Sequence, residues 1–368
     1  MNITVNRKDF LQSLQLGSSF SGKNKSLYAL DFTRLVFKGT TCRITSNDGE
    51  MAITTSHHIE STNNEDVEYY VDAKTLINAL RSIKEEYVTL DFDEKYCIIE
   101  HKRGKFEVPY GDVDVYPVPS MDKEPTTVVV SSEKLFNWLK EARQFVANDE
   151  LRPVMCGVYI YIKDNSIGVC ASDGSRLYTD CDDFESDREV DAILSAKAIT
   201  TILDMINDTD ETMIYFGERN VAFRAGDTSV MCRKIDGRFP NFNSVIPKAY
   251  KFNVSCNKEE FTESLSRCLI MANNNSLIKM TLENCLMKLV AEDLDFSKKG
   301  EDFVDITHHT MTDSQFEIGF KGTFAKTCLE AISSENVTLE LTEASRAIVM
   351  KDSDNVNKVI LLMPMACQ

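Results

Sequence analysis

A glycine-rich loop near the start of the chain has the spacing of a phosphate-binding loop. Gly17 is followed by Gly22 and Lys23, which matches the pattern GxxxxGK. In a true phosphate-binding loop a strand precedes the glycines and a helix follows them, because the helix N-terminus must face the phosphates. Here a helix is predicted before the loop and a strand at residues 26–30, and Asn24 stands where a Ser or Thr would hold magnesium. The pattern therefore favours a mobile loop, and a P-loop nucleotide hydrolase is kept only as an alternative function.

Histidines, acidic residues and cysteines give no stronger sign of catalysis. Adjacent histidines occur at residues 57–58 and 308–309, and neighbours on a strand point to opposite faces, so the two rings of a pair cannot bind one metal. The acidic cluster at residues 292–295 is followed by two lysines, and Ser297 stands where a calcium loop needs glycine. The 11 cysteines include no CxxC pair and are interpreted as reduced, mostly buried residues. The sequence predicts no enzyme, no metal and no cofactor.

Six copies of a strand followed by an amphipathic helix dominate the chain. The aliphatic residues that end the six strands stand at positions 5, 71, 130, 194, 254 and 318. Alternate copies are separated by 125 and 124 residues in one series and by 123 and 124 in the other. Each helix has apolar residues at i, i+3 and i+4 spacing, which buries one stripe and leaves the opposite face in water. Repetition at this scale predicts three similar domains, each made of two similar halves.

Antiparallel strands are predicted after the helices. Apolar and polar residues alternate on both sides of a turn at residues 47–49, and again around turns at 93–95 and 103–104. One helix with three or four antiparallel strands per half predicts an α+β fold. Stretches that contain proline divide the chain, and the domains are predicted at residues 1–120, 125–247 and 249–368.

The composition limits the function further. The net charge is −17 over 368 residues, of which 43% are hydrophobic. This hydrophobic content fits a globular protein with real cores. So acidic a chain repels nucleic acid unless its basic residues are concentrated on one surface. The N-terminus lacks the apolar run of a signal peptide and no stretch approaches the length of a membrane span, so we expect a cytoplasmic protein without a membrane partner.

A lysine recurs at the predicted start of every helix, three or four residues after the strand anchor: Lys8, Lys74, Lys134, Lys197, Lys258 and Lys321. Cations at a helix N-terminus oppose the helix dipole, so helix stability does not explain them. If the six helices face one another, these lysines give an acidic protein a weakly positive surface that suits a phosphate backbone. The alternative, that they are ordinary solvated residues, is supported locally by Glu259 and Glu260 beside Lys258.

Three local sequences stand out beyond the repeat. They are Ala171-Ser-Asp-Gly-Ser-Arg-Leu177, Ile235-Asp-Gly-Arg-Phe-Pro240 and the C-terminal Leu361-Leu-Met-Pro-Met365. Together with the threefold repeat and the N-terminal Met1-Asn-Ile-Thr-Val5, they resemble the bacterial DNA polymerase III beta subunit (beta sliding clamp) family over the whole chain.

The resemblance implies both a fold and a function. It implies three repeated clamp-type domains that close into a ring as a head-to-tail homodimer around double-stranded DNA, with helices lining the hole. Such a ring is a processivity factor: it tethers the polymerase by topology and slides because its phosphate contacts are non-specific. The clamp itself would need no cofactor, although a separate ATP-driven clamp loader would open it. A clamp-fold scaffold that no longer binds DNA is a further alternative.

Partner sites carry over by resemblance. DNA polymerase and clamp loader would bind through short peptide motifs in a hydrophobic groove between domains 2 and 3, formed by Met155, Ser172, Gly174, Arg176, Leu177, Pro240, Val245, Leu361, Leu362, Met363, Pro364 and Met365. In this groove the methionines would adapt to several partners, and Arg176 would hold a carbonyl or carboxylate of the peptide.

Two further surfaces follow from the same resemblance. At the dimer seam, Phe106 and Val108 would meet Ile270 and Met271 of the neighbouring copy, and Arg103 and Lys105 would face Glu301 and Asp302 there. The DNA-facing candidates are Lys23, Lys25 and Arg152 together with the six helix lysines.

The chain departs from the family pattern at several positions. Ser175 stands where the family usually has a histidine, and Pro153 and Val154 replace aromatic residues beside Arg152. The tail ends Ala366-Cys-Gln368 in place of the usual basic and leucine ending. These departures indicate a divergent or phage member.

Overall fold

The structure is a computed structural model of the chain that describes residues 1–24, 26–59, 66–149, 151–283, 285–311 and 315–366. Two compact units are present. Unit 1 comprises Met1–Phe136 and Thr200–Lys234, and unit 2 comprises Asn137–Ile199 and Ile235–Gln368.

The strands, numbered along the chain, are β1 (Asn2–Asn6), β2 (Thr33–Lys38), β3 (Thr41–Asn47), β4 (Met51–His58), β5 (Val67–Val71), β6 (Tyr87–Phe92), β7 (Tyr96–His101), β8 (Gly104–Pro109), β9 (Thr126–Ser131), β10 (Gly157–Lys163), β11 (Ser166–Ser172), β12 (Arg176–Asp183), β13 (Val190–Ser195), β14 (Glu211–Phe216), β15 (Asn220–Ala225), β16 (Thr228–Arg233), β17 (Phe252–Asn257), β18 (Leu277–Glu283), β19 (Leu286–Asp293), β20 (Lys298–His309), β21 (Gln315–Lys321), β22 (Asn336–Leu341), β23 (Ile348–Asp352), β24 (Asn355–Leu362) and β25 (Pro364–Met365). The helices are α1 (Arg7–Gly17), α2 (Ala73–Ser82), α3 (Ser132–Ala142), α4 (Ala196–Ile206), α5 (Lys258–Leu269) and α6 (Gly322–Glu330).

Each of the six predicted strand–helix copies is present, since β1, β5, β9, β13, β17 and β21 lead directly into α1 to α6. The apolar stripe predicted for each helix faces a core: Leu76 and Leu80 of α2 and Phe261 and Leu265 of α5 are all fully buried. Burial of such a stripe, more than helix propensity, stabilises helices of this length. The α+β prediction is confirmed.

Two helix starts show how closely the copies repeat. The side-chain oxygen of Asn6, just before α1, accepts hydrogen bonds from the backbone N–H groups of Lys8 at 3.0 Å and Asp9 at 3.3 Å. Asn257, just before α5, accepts one from the N–H of Glu260 at 3.0 Å. An asparagine at this position satisfies N–H groups that have no partner within the helix. The first and fifth copies therefore use the same capping residue.

The residues that follow these caps are also equivalent. Arg7 donates from Nε to the carbonyl oxygen of Glu85 at 2.9 Å, beyond the end of α2. Lys258 donates from Nζ to the carbonyl oxygen of Ile332 at 2.9 Å, beyond the end of α6. In both copies a cation at the start of one helix binds the backbone that follows the second helix, and this tethers the helix pair.

Unit 1 contains two sheets. One has the order β1-β6-β7-β8, and the other has the order β5-β2-β3-β4-β16-β15-β14-β9. The second sheet is continuous across the predicted boundary between domains 1 and 2, because β4 pairs with β16 from Thr55↔Thr228 to Met51↔Cys232. The core beneath the sheets is apolar and includes Phe10, Leu14, Leu35 and Leu90.

Unit 2 contains one long sheet, with the order β13-β10-β11-β12-β24-β23-β22-β17-β20-β19-β18-β21-β25. Strands of predicted domains 2 and 3 meet in this sheet at the antiparallel pair β12–β24, which runs from Arg176↔Leu362 to Thr179↔Val359. The same device thus recurs, because a strand of one predicted domain pairs with a strand of the next.

A buried ionic cluster lies at the β12–β24 junction. The Nζ atom of Lys358 on β24 lies 3.1 Å from Glu141 Oε2 on α3 and 3.2 Å from Asp352 Oδ2, and it donates to the Ala331 carbonyl at 2.9 Å. The hydroxyl of Tyr178 on β12 donates to the same Glu141 oxygen at 2.7 Å. We call Lys358, Glu141, Asp352 and Tyr178 the Lys358 cluster. A buried cation requires such partners, since desolvation without them costs several kcal/mol.

One local prediction of secondary structure differs from the structure. The strand predicted at residues 26–30 is wrong, because Tyr28–Asp31 forms a 3₁₀ helix. Among the helices of the described residues, none is long and apolar enough to cross a membrane.

Candidate partner groove and nucleic-acid interface

The C-terminal segment connects two strands that are far apart in sequence. Leu361 pairs with Leu177 and Leu362 with Arg176 on β12, and the N–H of Met363 donates to the Ser175 carbonyl at 2.8 Å. The segment then crosses to β21, where Pro364 and Met365 oppose residues 320 and 319. It therefore lies beside the hairpin of residues 172–177, as the resemblance implied.

The hairpin has a rigid turn. The Ser172 hydroxyl donates to the Arg176 carbonyl at 2.7 Å and accepts from the Gly174 N–H at 3.1 Å. Asp173 Oδ1 accepts from the N–H groups of Ser175 and Arg176, both at 2.8 Å. Gly174 has φ +88°, a conformation that L side chains rarely adopt. These bonds fix the direction in which the tip faces the C-terminal segment.

An apolar cluster lies beneath the predicted groove. Leu177 and Leu361, with 4% and 2% of their surface exposed, pack in one cluster with Phe239 of the Asp-Gly-Arg-Phe-Pro motif. Leu362 is fully buried. These three leucines were predicted as groove residues, and the structure places them under the surface, where they support it without being accessible to a peptide.

The accessible part of the predicted groove is smaller. Met363 and Val245 are 42% and 54% exposed. Pro240 is exposed, and Met155, Pro364 and Met365 are half-buried. This leaves a surface rich in methionine and proline, and flexible thioether side chains suit partners of differing shape.

Arg176 is already paired. Its guanidinium lies 3.0 Å from Asp173 Oδ2, and its side chain is only 10% exposed. It also lies over two aromatic rings, 4.3 Å from the Phe324 centroid and 5.3 Å from the Phe145 centroid. Asp173 thus already supplies a carboxylate to Arg176 within the chain, and a bond from Arg176 to a peptide carbonyl or carboxylate stays a prediction.

Two residues near Arg176 were not predicted there. Phe324, on the first turn of α6, lies under Arg176, and the ammonium of Lys321 also lies 4.3 Å from its ring centroid. Lys321 was assigned to the DNA surface because it fits the helix-start pattern. The structure instead brings Lys321 to the same aromatic ring as Arg176. The only sequence signal was the aromatic residue three positions after the lysine.

The six helix lysines are not equivalent. Lys8, Lys74 and Lys197 are exposed and occupy the second position of their helices, and Lys134 is half-buried at the third. Lys258 is the first residue of α5 and binds the Ile332 carbonyl, whereas Lys321 precedes α6.

The other DNA-facing candidates lie in loops. Lys23 is exposed beside Phe20, with its ammonium 4.9 Å from the ring centroid. Arg152 is 49% exposed and pairs with Asp149 at 3.3 Å. Lys25 lies outside the described residues.

Three of the four apolar side chains predicted for the dimer seam, those of Phe106, Ile270 and Met271, are exposed. Phe106 is on β8, the last strand of its sheet, and is 38% exposed. Ile270 and Met271 are 71% and 37% exposed just beyond α5, and Phe303 on β20 is 46% exposed. Val108 is only 1% exposed and belongs to the core of unit 1, so it cannot contact a neighbouring copy as predicted.

The charged seam residues have partners within the chain. Lys105 pairs with Glu107 at 2.6 Å and Glu301 with Lys288 at 2.7 Å, while Asp302 pairs with Arg267. Arg103 is exposed at the β7–β8 turn. Ion pairs that cross between copies would therefore have to compete with exposed pairs worth about 0–1 kcal/mol each.

Several side chains that could do chemistry are buried or paired within the chain. Burial raises the pKa of the Cys97, Cys256 and Cys328 thiols to about 12, which keeps them protonated. The Glu292 carboxylate of the acidic turn pairs with Lys299 at 2.7 Å. Among the described residues, no group of three or more His, Cys, Asp or Glu side chains is placed to hold a metal ion. The GxxxxGK loop follows α1 and precedes a 3₁₀ helix, which is not the strand–loop–helix arrangement of a phosphate-binding loop.

Comparison with known proteins agrees with this architecture. Residues 1–121, 129–241 and 243–366 match the family models of the N-terminal, central and C-terminal domains of the DNA polymerase III beta subunit. The beta sliding clamp of Staphylococcus epidermidis is 22% identical over 98% of both chains, and that of Haemophilus influenzae is 22% identical over 99% of this chain and 100% of its own.

Solved structures show the same fold. A DNA polymerase sliding clamp from Pseudomonas aeruginosa aligns with a TM-score of 0.91 at 22% identity, and the beta subunit of the Streptococcus pyogenes DNA polymerase with 0.91 at 17%. Both alignments cover 100% of each chain. On the three domain matches, which follow one another along almost the whole sequence, the chain belongs to the DNA polymerase III beta subunit family.

Proposed function

We propose that this chain is a DNA sliding clamp, a non-catalytic processivity factor. The observation that carries the proposal is the ordered match to all three domains of the beta subunit family. In the proposed mechanism two copies associate head to tail and enclose double-stranded DNA. The domains are proposed at residues 1–120, 125–247 and 249–368. A ring that encloses DNA needs no strong contact with any base, because topology keeps it in place.

Contact with DNA would come from the exposed helix lysines. A protein with net charge −17 repels DNA at most of its surface. Lys8, Lys74 and Lys197 are exposed at equivalent helix positions, with Lys134, Lys23 and Arg152 as further candidates. Scattered cations of this kind suit sliding, since phosphate contacts carry no sequence information.

Dimerisation would use the strand edge at β8 and the surface around Ile270. An exposed apolar edge strand is prone to pair with another chain, and a partner edge is one way to cover it. Phe106 on β8 and Ile270, Met271 and Phe303 in unit 2 provide apolar contact area on the two surfaces. Because the two surfaces differ, the contact would be heterologous. Heterologous contacts close into a ring when the rotation that relates neighbouring subunits brings the last subunit back to the first.

Polymerase and clamp loader would bind by short peptide motifs at the groove beside the C-terminal segment. Met363, Val245 and Pro240 are its accessible apolar residues. A peptide of this kind gains affinity from apolar side chains placed in pockets, with few polar contacts to set its orientation.

Retention on circular DNA tests the function. The full chain is loaded onto nicked circular duplex with its clamp loader and ATP, and the loader is then removed. The proposal predicts that the protein stays on the circles in high salt and is lost once a restriction enzyme linearises them. Equal loss before and after cutting would instead support the alternative of a clamp-fold scaffold that does not hold DNA.

A further inference from the structure

We propose that Lys321 makes the groove selective for partner peptides that carry an Asp or Glu side chain. This inference rests on the proposed function of the groove as a peptide site, and it names the chemistry of the partner. It also moves Lys321 from the DNA surface, where its sequence position suggested it, to the site of partner choice.

The backbone places Lys321 beside the C-terminal segment. In the β21–β25 pair, Gly319 opposes Met365 and Phe320 opposes Pro364. Continuing this antiparallel register puts Lys321 opposite Met363. The N–H of Met363 is bonded to the Ser175 carbonyl, and its side chain is 42% exposed. Lys321 therefore stands next to the most exposed methionine of the C-terminal segment.

The aromatic ring of Phe324 positions two cations that differ in one respect. Arg176 and Lys321 both lie 4.3 Å from its centroid. The charge of Arg176 is met by Asp173 at 3.0 Å, whereas none of the ion pairs among the described residues includes Lys321. A ring holds an ammonium group in place but does not neutralise it. Lys321 is thus a positioned, half-buried cation whose carboxylate partner can come from a bound peptide.

A carboxylate is the group that this arrangement favours. Hydrogen bonds between an ammonium and a carboxylate are roughly twice as strong as those between neutral groups. An amide of the same shape would keep a hydrogen bond but lose the charge, and a lysine at that peptide position would be repelled. Selectivity would therefore depend on charge, and would weaken as salt is added.

Peptide selection on the intact protein tests the inference. A phage-displayed library of random short peptides is panned on the full-length chain, and groove binders are identified by their loss on a Met363→Gln variant, which removes the apolar side chain without adding a charge beside Lys321. An enriched acidic peptide is then synthesised with its Asp or Glu and with the matching Asn or Gln. We expect the acidic peptide to bind about fivefold more tightly at low salt, the upper end for a partly exposed ion pair.

Variants separate the role of Lys321 from general effects. In Lys321→Met the ratio of the two dissociation constants should fall to about one, while Lys321→Arg should keep most of the preference because the charge remains. Lys326→Met, on α6 five residues after Lys321 and also half-buried, should leave the ratio unchanged. Groove binders without acidic enrichment, or a preference that survives Lys321→Met, would overturn this inference and leave the groove function standing. If no selected peptide depends on Met363, the peptide-binding function itself fails.

Discussion

The ammonium of Lys358 lies 3.1 Å from the carboxylate of Glu141, and the two residues belong to β24 and α3. Family-model matches assign Glu141 to the central domain and Lys358 to the C-terminal domain. Only 4% of the Lys358 side chain is exposed. An ion pair between the two domains is therefore held in a buried position directly beside the β12–β24 junction.

Replacing Lys358 with methionine should strongly destabilise unit 2. The change leaves the carboxylates of Glu141 and Asp352 without their cation, and breaking a buried pair in this way costs about 3–5 kcal/mol. Urea unfolding followed by circular dichroism measures the loss. Adding Glu141→Gln to the variant should recover part of it, because one uncompensated charge is then removed.

The matched control is Lys351→Met on the neighbouring strand β23, where the lysine is half-buried. This substitution should lower the free energy of unfolding by about 0.5 kcal/mol or less, as most surface substitutions do. Similar losses in Lys351→Met and Lys358→Met would show that the cluster contributes nothing specific.

The stability of unit 2 should depend on pH through Asp352. Burial alone would raise the pKa of Asp352. Hydrogen bonds to its carboxylate, of which the one from the Ser333 N–H is the strongest, and the charge of Lys358 together outweigh burial. The pKa of Asp352 therefore lies below its ordinary value. The pKa of this carboxyl is thus lower in the folded protein than in the unfolded chain, where it is about 4. The ionised carboxylate therefore stabilises the fold at pH values above about 4. This stabilisation is lost as the pH falls through the folded-state pKa.

Comparing the urea midpoints of the wild type and Asp352→Asn across acidic pH checks this. The difference should be largest near neutral pH and shrink as the solution becomes more acidic. Glu340→Gln provides a control of opposite sign, because burial raises the pKa of Glu340 and its charged form is disfavoured in the fold. A constant difference for Asp352→Asn at every pH would contradict the assignment.

Reversing charge at Lys8, Lys74 and Lys197 should weaken the hold on DNA. Each lost phosphate contact reduces the magnitude of the negative slope of log affinity against log salt by about 0.9, so the slope of the triple Glu variant should be less steep by about 2.7. Binding to short duplex DNA at several salt concentrations measures it. Lys326→Glu is the control and should leave the slope unchanged. If the triple variant has the wild-type slope, these three lysines do not contact DNA.

The dimer seam should depend on Ile270. This side chain is 71% exposed, and placing a carboxylate there puts a charge into the proposed apolar contact. Ile270→Glu should therefore be a monomer by native mass spectrometry at dilute concentration, while the wild type is a dimer. Val356→Glu, at another highly exposed apolar position, should stay dimeric, and a dimeric Ile270→Glu would place the seam elsewhere.

Much of the fold could be predicted from the chain alone. Residues such as Leu76 and Leu80 recur at the helical period, and buried side chains must follow that period wherever a helix packs on a sheet. These features depend on neighbours in sequence, which is why their positions were found.

The candidate site was less predictable. It depends on the exact position of each lysine along its helix and on contacts between residues that are far apart in the sequence. A shift of one or two helix positions turns Lys258 toward the Ile332 carbonyl and leaves Lys8 exposed. The contact of Phe324 with Arg176 joins strands and helices that only the finished sheet brings together. Burial of Val108, on the same strand as exposed Phe106, depends on where the core ends along β8.

The strand pairs β4–β16 and β12–β24 also have a mechanical consequence. A force that pulls neighbouring domains apart acts on a row of backbone hydrogen bonds at each of these junctions. At both junctions the paired strands are also connected by the covalent chain. A seam between two separate copies would have no covalent connection in parallel with its contacts. In an assembly made from this chain, the first boundary to separate under load should therefore be the one between subunits, before either strand junction within a chain.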